Sequence, residues 1–283
     1  MTATGRAGSS RKAAITATAF MLAFAAFGVS TNAARAADTW NVPGDFATIQ
    51  AAIDGAAPGD TIIVAPGTYQ ESLEYGGKDV RVESSSGAAA TTLDAAGDRG
   101  LDIGPGGAFI GFTVTNARES FGGAVAVHGT GTLIAQNIFD GNAQSAGGFG
   151  AAIGGNSASP TIDSNMFTNN TCDTQHLSGV IAFINTSLPV ITNNVIYDNP
   201  CWGINMSPAS GGSPTVVNNT IVGNPIGLRL NLGTPTSHVY RNNIIFDNEV
   251  GVLIAGDEPL LDYNLVSGNA TDYSGIADQT GTN

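Results

Sequence analysis

Basic side chains are scarce in this sequence of 283 residues, which has ten Lys and Arg against 23 Asp and Glu. None of the acidic residues falls within the first 36 positions, whereas four of the basic residues do. From residue 37 onwards the chain therefore carries six basic and 23 acidic residues, a net charge of −17. Such a surface repels nucleic acids and anionic membranes. It also repels polyanionic sugars unless Ca²⁺ bridges the two.

Long apolar segments are equally rare, and only residues 13–29 form one. Arg6, Arg11 and Lys12 precede it and the sequence Ala-Arg-Ala at 34–36 follows it. A positive region, an apolar region and a small-x-small cleavage site in this order are typical of a signal peptide. We therefore predict a signal peptide over 1–36 and a secreted or periplasmic domain over 37–283. A membrane anchor is the alternative, and the pattern does not distinguish Sec from Tat export.

Ala- and Leu-rich helix pairs are missing, which excludes the helical solenoids. A different unit recurs: an apolar pair, Asn, a second apolar pair, two free positions and Asn, as in SPTVVNNTIVGN at 213–224. A further short apolar segment precedes most copies. Two or three short strands per roughly 25 residues are typical of a parallel β-helix, whose coils lie about 4.8 Å apart. The sequence thus predicts an all-β solenoid of about eight coils.

The repeated Asn needs a structural explanation, because strands normally avoid this residue. In a stack of coils, equivalent Asn residues lie above one another at an inward turn, where their amides hydrogen-bond along the stack. Asn also tolerates the left-handed turn conformation. We therefore interpret the final Asn of each repeat as part of a structural ladder. Its members are Asn142, Asn170, Asn199, Asn224, Asn248 and Asn269, with Asn116 in a degenerate first copy of the repeat.

The segment FATIQAAIDGAAPGDTIIVAPGTYQE at 46–71 combines a helical apolar stripe, a Pro-Gly-Asp turn and a buried strand. With the repeats, it resembles the N-terminal signature of right-handed parallel β-helix proteins of the pectin-lyase-like superfamily. The resemblance covers nearly all of 37–283. It implies a cap at about 40–70, in which a short helix covers the first coil. Similar proteins continue into another coil and a cap, so this chain is either truncated at its C-terminal end or leaves its last coil exposed.

Cysteine is nearly absent, and Cys172 and Cys201 are the only two. They are 29 residues apart, which is one repeat, and each follows the first Asn of its coil by seven residues. Stacked coils place equivalent Cα atoms within reach of a disulfide, and an exported chain can be oxidised. We predict a Cys172–Cys201 disulfide between neighbouring coils. Free thiols or a metal pair are the alternatives, but no His or further Cys lies in register.

Catalytic motifs of similar enzymes are also missing. The Asp-Asp and Gly-His-Gly signatures of polygalacturonases and the Arg-x-Pro-x-x-Arg signature of pectate lyases do not occur. Gly-Thr-Tyr-x-Glu at 67–71 is similar to the opening of pectin methylesterases, but their downstream Gln- and Asp-bearing motifs do not follow. Glu71 is therefore interpreted as a residue of the cap. No metal site is predicted, although a lyase would need Ca²⁺.

If the chain is nevertheless an enzyme, its reactive groups are few. Asp163, Asp173 and His176 give the best local concentration of acids and bases, and Asp173 and His176 lie on one loop beside the predicted disulfide. Arg229 is expected to face outward between the inward Leu228 and Leu230. A solvated loop is the alternative interpretation.

Two aromatic residues, Tyr197 and Phe246, fall in one outward row two coils apart. They are candidate carbohydrate contacts, or else ordinary surface packing. His128 and His238 are expected to be isolated at the surface.

Three functions remain open. The first is a secreted protein that binds an extracellular or cell-surface polysaccharide without a recognisable catalytic motif. The second is a polysaccharide lyase or glycoside hydrolase with a divergent site at the residues named above. The third is a purely structural envelope or adhesion module. Fold alone does not separate them, and neither the glycan nor the oligomeric state follows from the sequence.

Overall fold

The computed structural model describes residues 1–2, 35–173, 179–208, 214–231, 239–256 and 259–276. The predicted signal peptide lies almost entirely outside the described residues, and so do His176 and His238. The compact unit described below begins at Ala37. Within the described ranges, no helix has both the length and the apolar character needed to cross a membrane.

Short strands stack into three long parallel sheets, and successive strands along the chain visit the sheets in turn. The described residues form nine strands each in sheets B and C and ten in sheet A, so the predicted parallel β-helix is confirmed with about nine coils. Sheet A contains Thr39–Val42, Thr61–Val64, Arg81–Ser84, Ala108–Ile110, Thr130–Ala135, Ser159–Asp163, Val190–Thr192, Thr215–Val217, Val239–Arg241 and Leu261–Asp262.

Sheet B contains Gly67–Gln70, Thr91–Asp94, Thr113–Thr115, Ile138–Asp140, Met166–Thr168, Val195–Tyr197, Thr220–Val222, Ile244–Phe246 and Leu265–Ser267. Sheet C contains Leu73–Glu74, Leu101–Ile103, Val125–Val127, Ile153–Asn156, Gly179–Asn185, Trp202–Pro208, Ile226–Leu230, Val250–Ile254 and Thr271–Ser274. A separate pair of parallel strands, Arg118–Phe121 and Ala143–Phe149, lies in the connections from sheet B to sheet C; we call it the loop sheet.

Alternation along each strand builds the core, because every second side chain points into the coil. In sheet B the central residue of each strand faces inward, and register places these residues in one column. Phe139 and Phe167 stack in that column with ring centroids 4.9 Å apart and planes 8° apart. Ile196 and Ile221 continue it and are fully buried. Burying a side chain of this size stabilises the fold by about 1.5–3 kcal/mol.

Two ladders of buried Asn run along the stack. One contains the predicted residues Asn142 to Asn269, and the other contains the first Asn of each repeat. In both, the Oδ1 atom of one coil accepts from the backbone N–H and the Nδ2 of the equivalent Asn in the preceding coil. Asn165, for example, donates to Asn194 at 2.9 and 3.0 Å. The second ladder comprises Asn137, Asn165, Asn194, Asn219, Asn243 and Asn264.

Two details of the predicted ladder are wrong. Asn116 is not a member, because Asn142 aligns with Ala117 and accepts from its backbone N–H at 3.1 Å. The left-handed conformation belongs to the residue before the ladder Asn, as at Asn193 and Asp198. The ladder Asn points inward to bond its neighbours, and the preceding residue makes the turn.

The N-terminal end is closed by the predicted helix α1, Ile49–Gly55, which buries its apolar stripe of Ile49, Ala52 and Ile53 against the first coil. Charged side chains from the following coil hold both ends of it. The Glu71 carboxylate accepts from the backbone N–H groups of Ile49 and Gln50 at 3.0 and 2.9 Å. The Lys78 ammonium donates to three carbonyl groups at the other end. These signs match the helix dipole, and Glu71 is thus a cap residue.

The predicted disulfide is confirmed. Cys172 and Cys201 are bonded, with their Cα atoms 5.5 Å apart. Cys201 is buried and immediately precedes the sheet C strand that starts at Trp202. The bridge therefore ties a B-to-C connection to the neighbouring coil.

Candidate functional site

The outer face of sheet B becomes apolar towards its C-terminal coils. In the last five of the coils that the structure describes, two outward rows of sheet B carry no charged side chain. Met166, Ile244, Phe246 and Leu265 are 38%, 44%, 47% and 56% exposed. Contiguous exposed apolar surface of this kind marks binding sites. We call it the apolar strip, and it comprises Met166, Val195, Tyr197, Val222, Ile244, Phe246 and Leu265.

The predicted contacts Tyr197 and Phe246 both belong to the apolar strip. They lie in one row with Val222 between them. The Tyr197 hydroxyl contacts the Met166 sulfur at 3.7 Å. By contrast, the same rows in the first coils carry polar residues such as Thr68, Thr92 and Asp94. The apolar character is thus confined to one half of the sheet.

Asp163 lies on a different sheet. It faces outward from sheet A, and its carboxylate accepts from Thr192 Oγ1 at 2.6 Å, Asn193 Nδ2 at 2.7 Å and Ser164 Oγ at 2.8 Å. Partial burial raises the pKa of Asp163, and the hydrogen bonds from Thr192, Ser164 and Asn193 lower it. Together the hydrogen bonds have the larger effect, so the pKa of Asp163 lies below its usual value. Hydrogen bonds from its own coil and from the next coil thus favour the ionised carboxylate.

The middle of the outer face of sheet C is covered. Ala126, Gly154 and Ala182 occupy successive outward positions and are buried. A Cβ at Gly154 would lie 2.7 Å from the backbone nitrogen of Gly122 and 2.8 Å from the carbonyl oxygen of Phe149. Only glycine admits this approach of the loop sheet. The repeat pattern does not indicate Gly154, because its Gly-rich strand does not resemble the other strands.

Arg229 faces outward beyond this covered region, as predicted. Its Nη1 donates to Asn205 Oδ1 at 3.1 Å and to Ser207 Oγ at 3.2 Å. Its guanidinium carbon lies 5.1 Å from the ring centroid of Trp202. Burial lowers the pKa of Arg229. Among the described residues no carboxylate pairs with it, so neutral groups and an aromatic face position this cation.

Asp173 follows the disulfide and lines a pocket of about 330 Å³ at the connection from sheet B to sheet C. Arg118 and Gln144, which sequence analysis did not select, line the same pocket. The structure thus places Asp163 on sheet A, Arg229 on sheet C and Asp173 between sheets B and C. Because Asp163 and Arg229 lie on different sheets, the structure does not assemble them into one site.

His128, expected to be isolated, is not. Its Nε2 lies 3.2 Å from Asp102 Oδ2, and Arg99 Nη1 contacts the same oxygen at 3.4 Å. The Phe121 ring stacks beside the imidazole at 6.1 Å. A signal for this contact existed: Asp102 aligns with Ala126, two residues before His128 in the next coil. An oriented imidazole beside a carboxylate is an arrangement that can transfer protons.

A search of the described ranges finds no group of three or more His, Cys, Asp or Glu side chains placed to hold a metal ion. A shallow groove beside sheet B carries Asp198, Asp247 and Glu249. These carboxylates add to the negative surface.

A family model described as the right-handed beta helix region matches residues 99–271, well over half of the chain. The chain belongs to this family. A search of curated protein sequences gives no significant match. The handedness and the nine coils make the chain similar in fold to the pectin-lyase-like β-helix proteins.

Solved structures provide three similar folds. Pectate lyase Pel9A is 14% identical, with 77% of this chain and 68% of that chain covered and a TM-score of 0.55. The mannuronan C-5 epimerase AlgE6 A-module of Azotobacter vinelandii is 16% identical, with 82% and 77% covered and a TM-score of 0.45. The pectin methylesterase of Aspergillus niger is 15% identical, with 87% and 93% covered and a TM-score of 0.40. At these identities the first similarity shows the shared fold alone.

Proposed function

We propose that this β-helix protein is exported and binds an extracellular or cell-surface polysaccharide along the apolar strip of sheet B. The observation that carries the proposal is the row Tyr197, Val222 and Phe246, which is free of charge in a strongly acidic chain. Aromatic rings offer flat apolar faces together with polar edges, which suits the faces of sugar rings. The disulfide supports export, because such bonds persist in oxidising compartments.

The charge of the chain favours a neutral glycan. An anionic chain would be repelled by the net charge of −17 over 37–283. The strip itself contains no basic side chain to offset that repulsion. Successive coils also repeat at about 4.8 Å, so the strip presents a regular surface along the stack to an extended polymer.

The test is depletion of the exported, oxidised protein by insoluble cellulose, chitin, xylan and mannan. We expect Phe246→Ala and Tyr197→Ala each to weaken binding by about tenfold, equivalent to 1.4 kcal/mol. Thr92→Ala, on the polar half of the same sheet, is the matched control. Binding that is unchanged by both aromatic substitutions would exclude the strip. If no glycan depletes the folded protein, the structural envelope or adhesion module is the better interpretation.

A second candidate function, cleavage of a glycan by acid–base chemistry, is favoured by the contact between His128 and Asp102. Ultraviolet absorbance of unsaturated products and the appearance of new reducing ends would be followed together, with and without Ca²⁺. We expect His128→Gln and Asp102→Asn to abolish any activity found. An activity that survives both substitutions would place the chemistry elsewhere, and Asp173→Asn would then be examined.

A further inference from the structure

The pocket beside the disulfide is built from three successive coils. Its floor is fixed by backbone pairing, since Arg118 aligns with Ala143 in the loop sheet and Ala143 bridges to Thr171. Gln144 N donates to Thr171 O and Thr171 N donates to Asn142 O, both at 2.8 Å. Cys172 lines the pocket and is bonded to Cys201 of the next coil. The backbone of the lining is therefore fixed before a ligand arrives.

Polar groups in this pocket have unused hydrogen-bonding capacity. Gln144 is 4% exposed, and its Nε2 donates to the carbonyl oxygen of Gly148. Among the described residues its Oε1 has no partner, and because this atom is buried, a ligand hydroxyl reaches it only when the Gln144 side chain turns towards the pocket. A buried acceptor without a donor is costly in a native protein and requires an explanation. Arg118 and Asp173 line the same pocket, and within the described part of the chain neither makes a hydrogen bond or ion pair through its side chain.

The lining selects a class of ligand. The Gln144 oxygen and the Asp173 carboxylate accept hydrogen bonds, the Thr171 hydroxyl donates or accepts, and the Arg118 guanidinium only donates. An anionic ligand would be repelled by the Asp173 carboxylate and the Gln144 oxygen, and a cationic ligand would be repelled by the Arg118 guanidinium. Neighbouring hydroxyl groups satisfy all four, because each hydroxyl both donates and accepts.

We infer that this pocket binds one neutral sugar unit through neighbouring hydroxyl groups. Its volume of about 330 Å³ is at the lower end of the roughly 300–1,000 Å³ of ligand sites, which suits a single terminal unit rather than a chain. This site extends the proposed function, because its ligand is the terminal sugar unit of a glycan. It rests on residues outside the apolar strip, so the two sites can fail separately.

The experiment titrates the oxidised protein with glucose, galactose and mannose, and separately with glucuronate and glucosamine, while the backbone amide signals of Gln144 and Thr171 are followed by NMR. We expect at least one neutral sugar to shift both signals and to bind more tightly than the two charged sugars. Asp173→Asn and Arg118→Gln should each weaken that binding about tenfold or more. Asp262→Asn and Arg241→Gln remove the same charges elsewhere and should leave it unchanged.

Three results would overturn the inference: no neutral sugar shifts the two signals, a charged sugar binds more tightly, or the pocket variants bind as well as their controls. Phe246→Ala separates the two proposals. If it abolishes binding to insoluble glycan while the monosaccharide still shifts Gln144, both sites stand. If the strip binds no glycan and the pocket still binds sugar, only the proposed strip fails.

Discussion

Replacing one ladder Asn in the middle of the stack should destabilise the protein far more than replacing one at its end. Asn194 is 1% exposed and accepts two hydrogen bonds from Asn165, from the backbone N–H at 2.9 Å and from Nδ2 at 3.0 Å. Asn194→Ala leaves both donors buried without an acceptor. At about 1–3 kcal/mol for each unsatisfied group, the cost is about 2–6 kcal/mol. That is a large part of the 5–15 kcal/mol by which domains are typically stable.

The matched variant is Asn264→Ala. Asn264 occupies the same ladder position in the last described coil and accepts from Asn243 at 3.0 and 2.9 Å. It is only partly buried, so water can replace the lost oxygen, and we expect a cost of about 1 kcal/mol.

Hydrogen exchange of the amides in the coils beside each site measures the local free energy of opening, so it reports the middle and the end of the stack separately. Equal costs at the two positions, or a cost below about 1 kcal/mol at Asn194, would refute the view that buried donors determine the stability of the ladder.

Three other perturbations test the ends and connections of the stack. Glu71→Gln removes the charge that caps α1 and should cost about 1.5–3 kcal/mol in urea unfolding; an unchanged midpoint would contradict the cap. Reducing Cys172–Cys201, or replacing both by Ser, should lower stability by roughly 3–4 kcal/mol in the chain-entropy model, measured as the shift in the same midpoint. Because the folded pKa of Asp163 is lowered, its contribution is present above the unfolded value of about 3.9 and is lost as pH falls through the folded pKa. Thr192→Val should raise that pKa in an NMR titration, and no rise would remove the hydrogen bond as a cause.

Apolar alternation made the outward row of sheet B predictable. Tyr197 and Phe246 occupy the row that the sequence indicates, because each strand there has one inward residue flanked by two outward ones. The place of Gly154 does not follow from the repeat, because its strand, Ile153–Asn156, lacks apolar alternation. Its glycine is explained only by the loop sheet above it, which the repeat pattern does not specify.

The position of Arg118 and the contact of His128 escaped prediction for different reasons. Arg118 lies on a connection between sheets whose length varies from coil to coil, so spacing along the chain does not place it. Asp102 and His128 are 26 residues apart, yet they meet because their strands are adjacent in sheet C. Residues on strands follow from periodicity, whereas residues on connections follow only from the assembled stack.

The ladders also make the completion of each coil depend on the order of synthesis. A ladder Asn such as Asn165 donates from its backbone N–H and its Nδ2 to an oxygen of the coil that is synthesised later, that of Asn194, and its Nδ2 also donates to the Ile134 carbonyl of the earlier coil. An N-terminal coil that emerges first therefore stays incomplete until its successor arrives and completes it. At Asn269 this dependence stops, because Asp272 Oδ1 accepts from its backbone N–H and from its Nδ2 at 3.1 and 2.9 Å. There, a residue three positions along the same coil supplies the oxygen that elsewhere comes from the next coil.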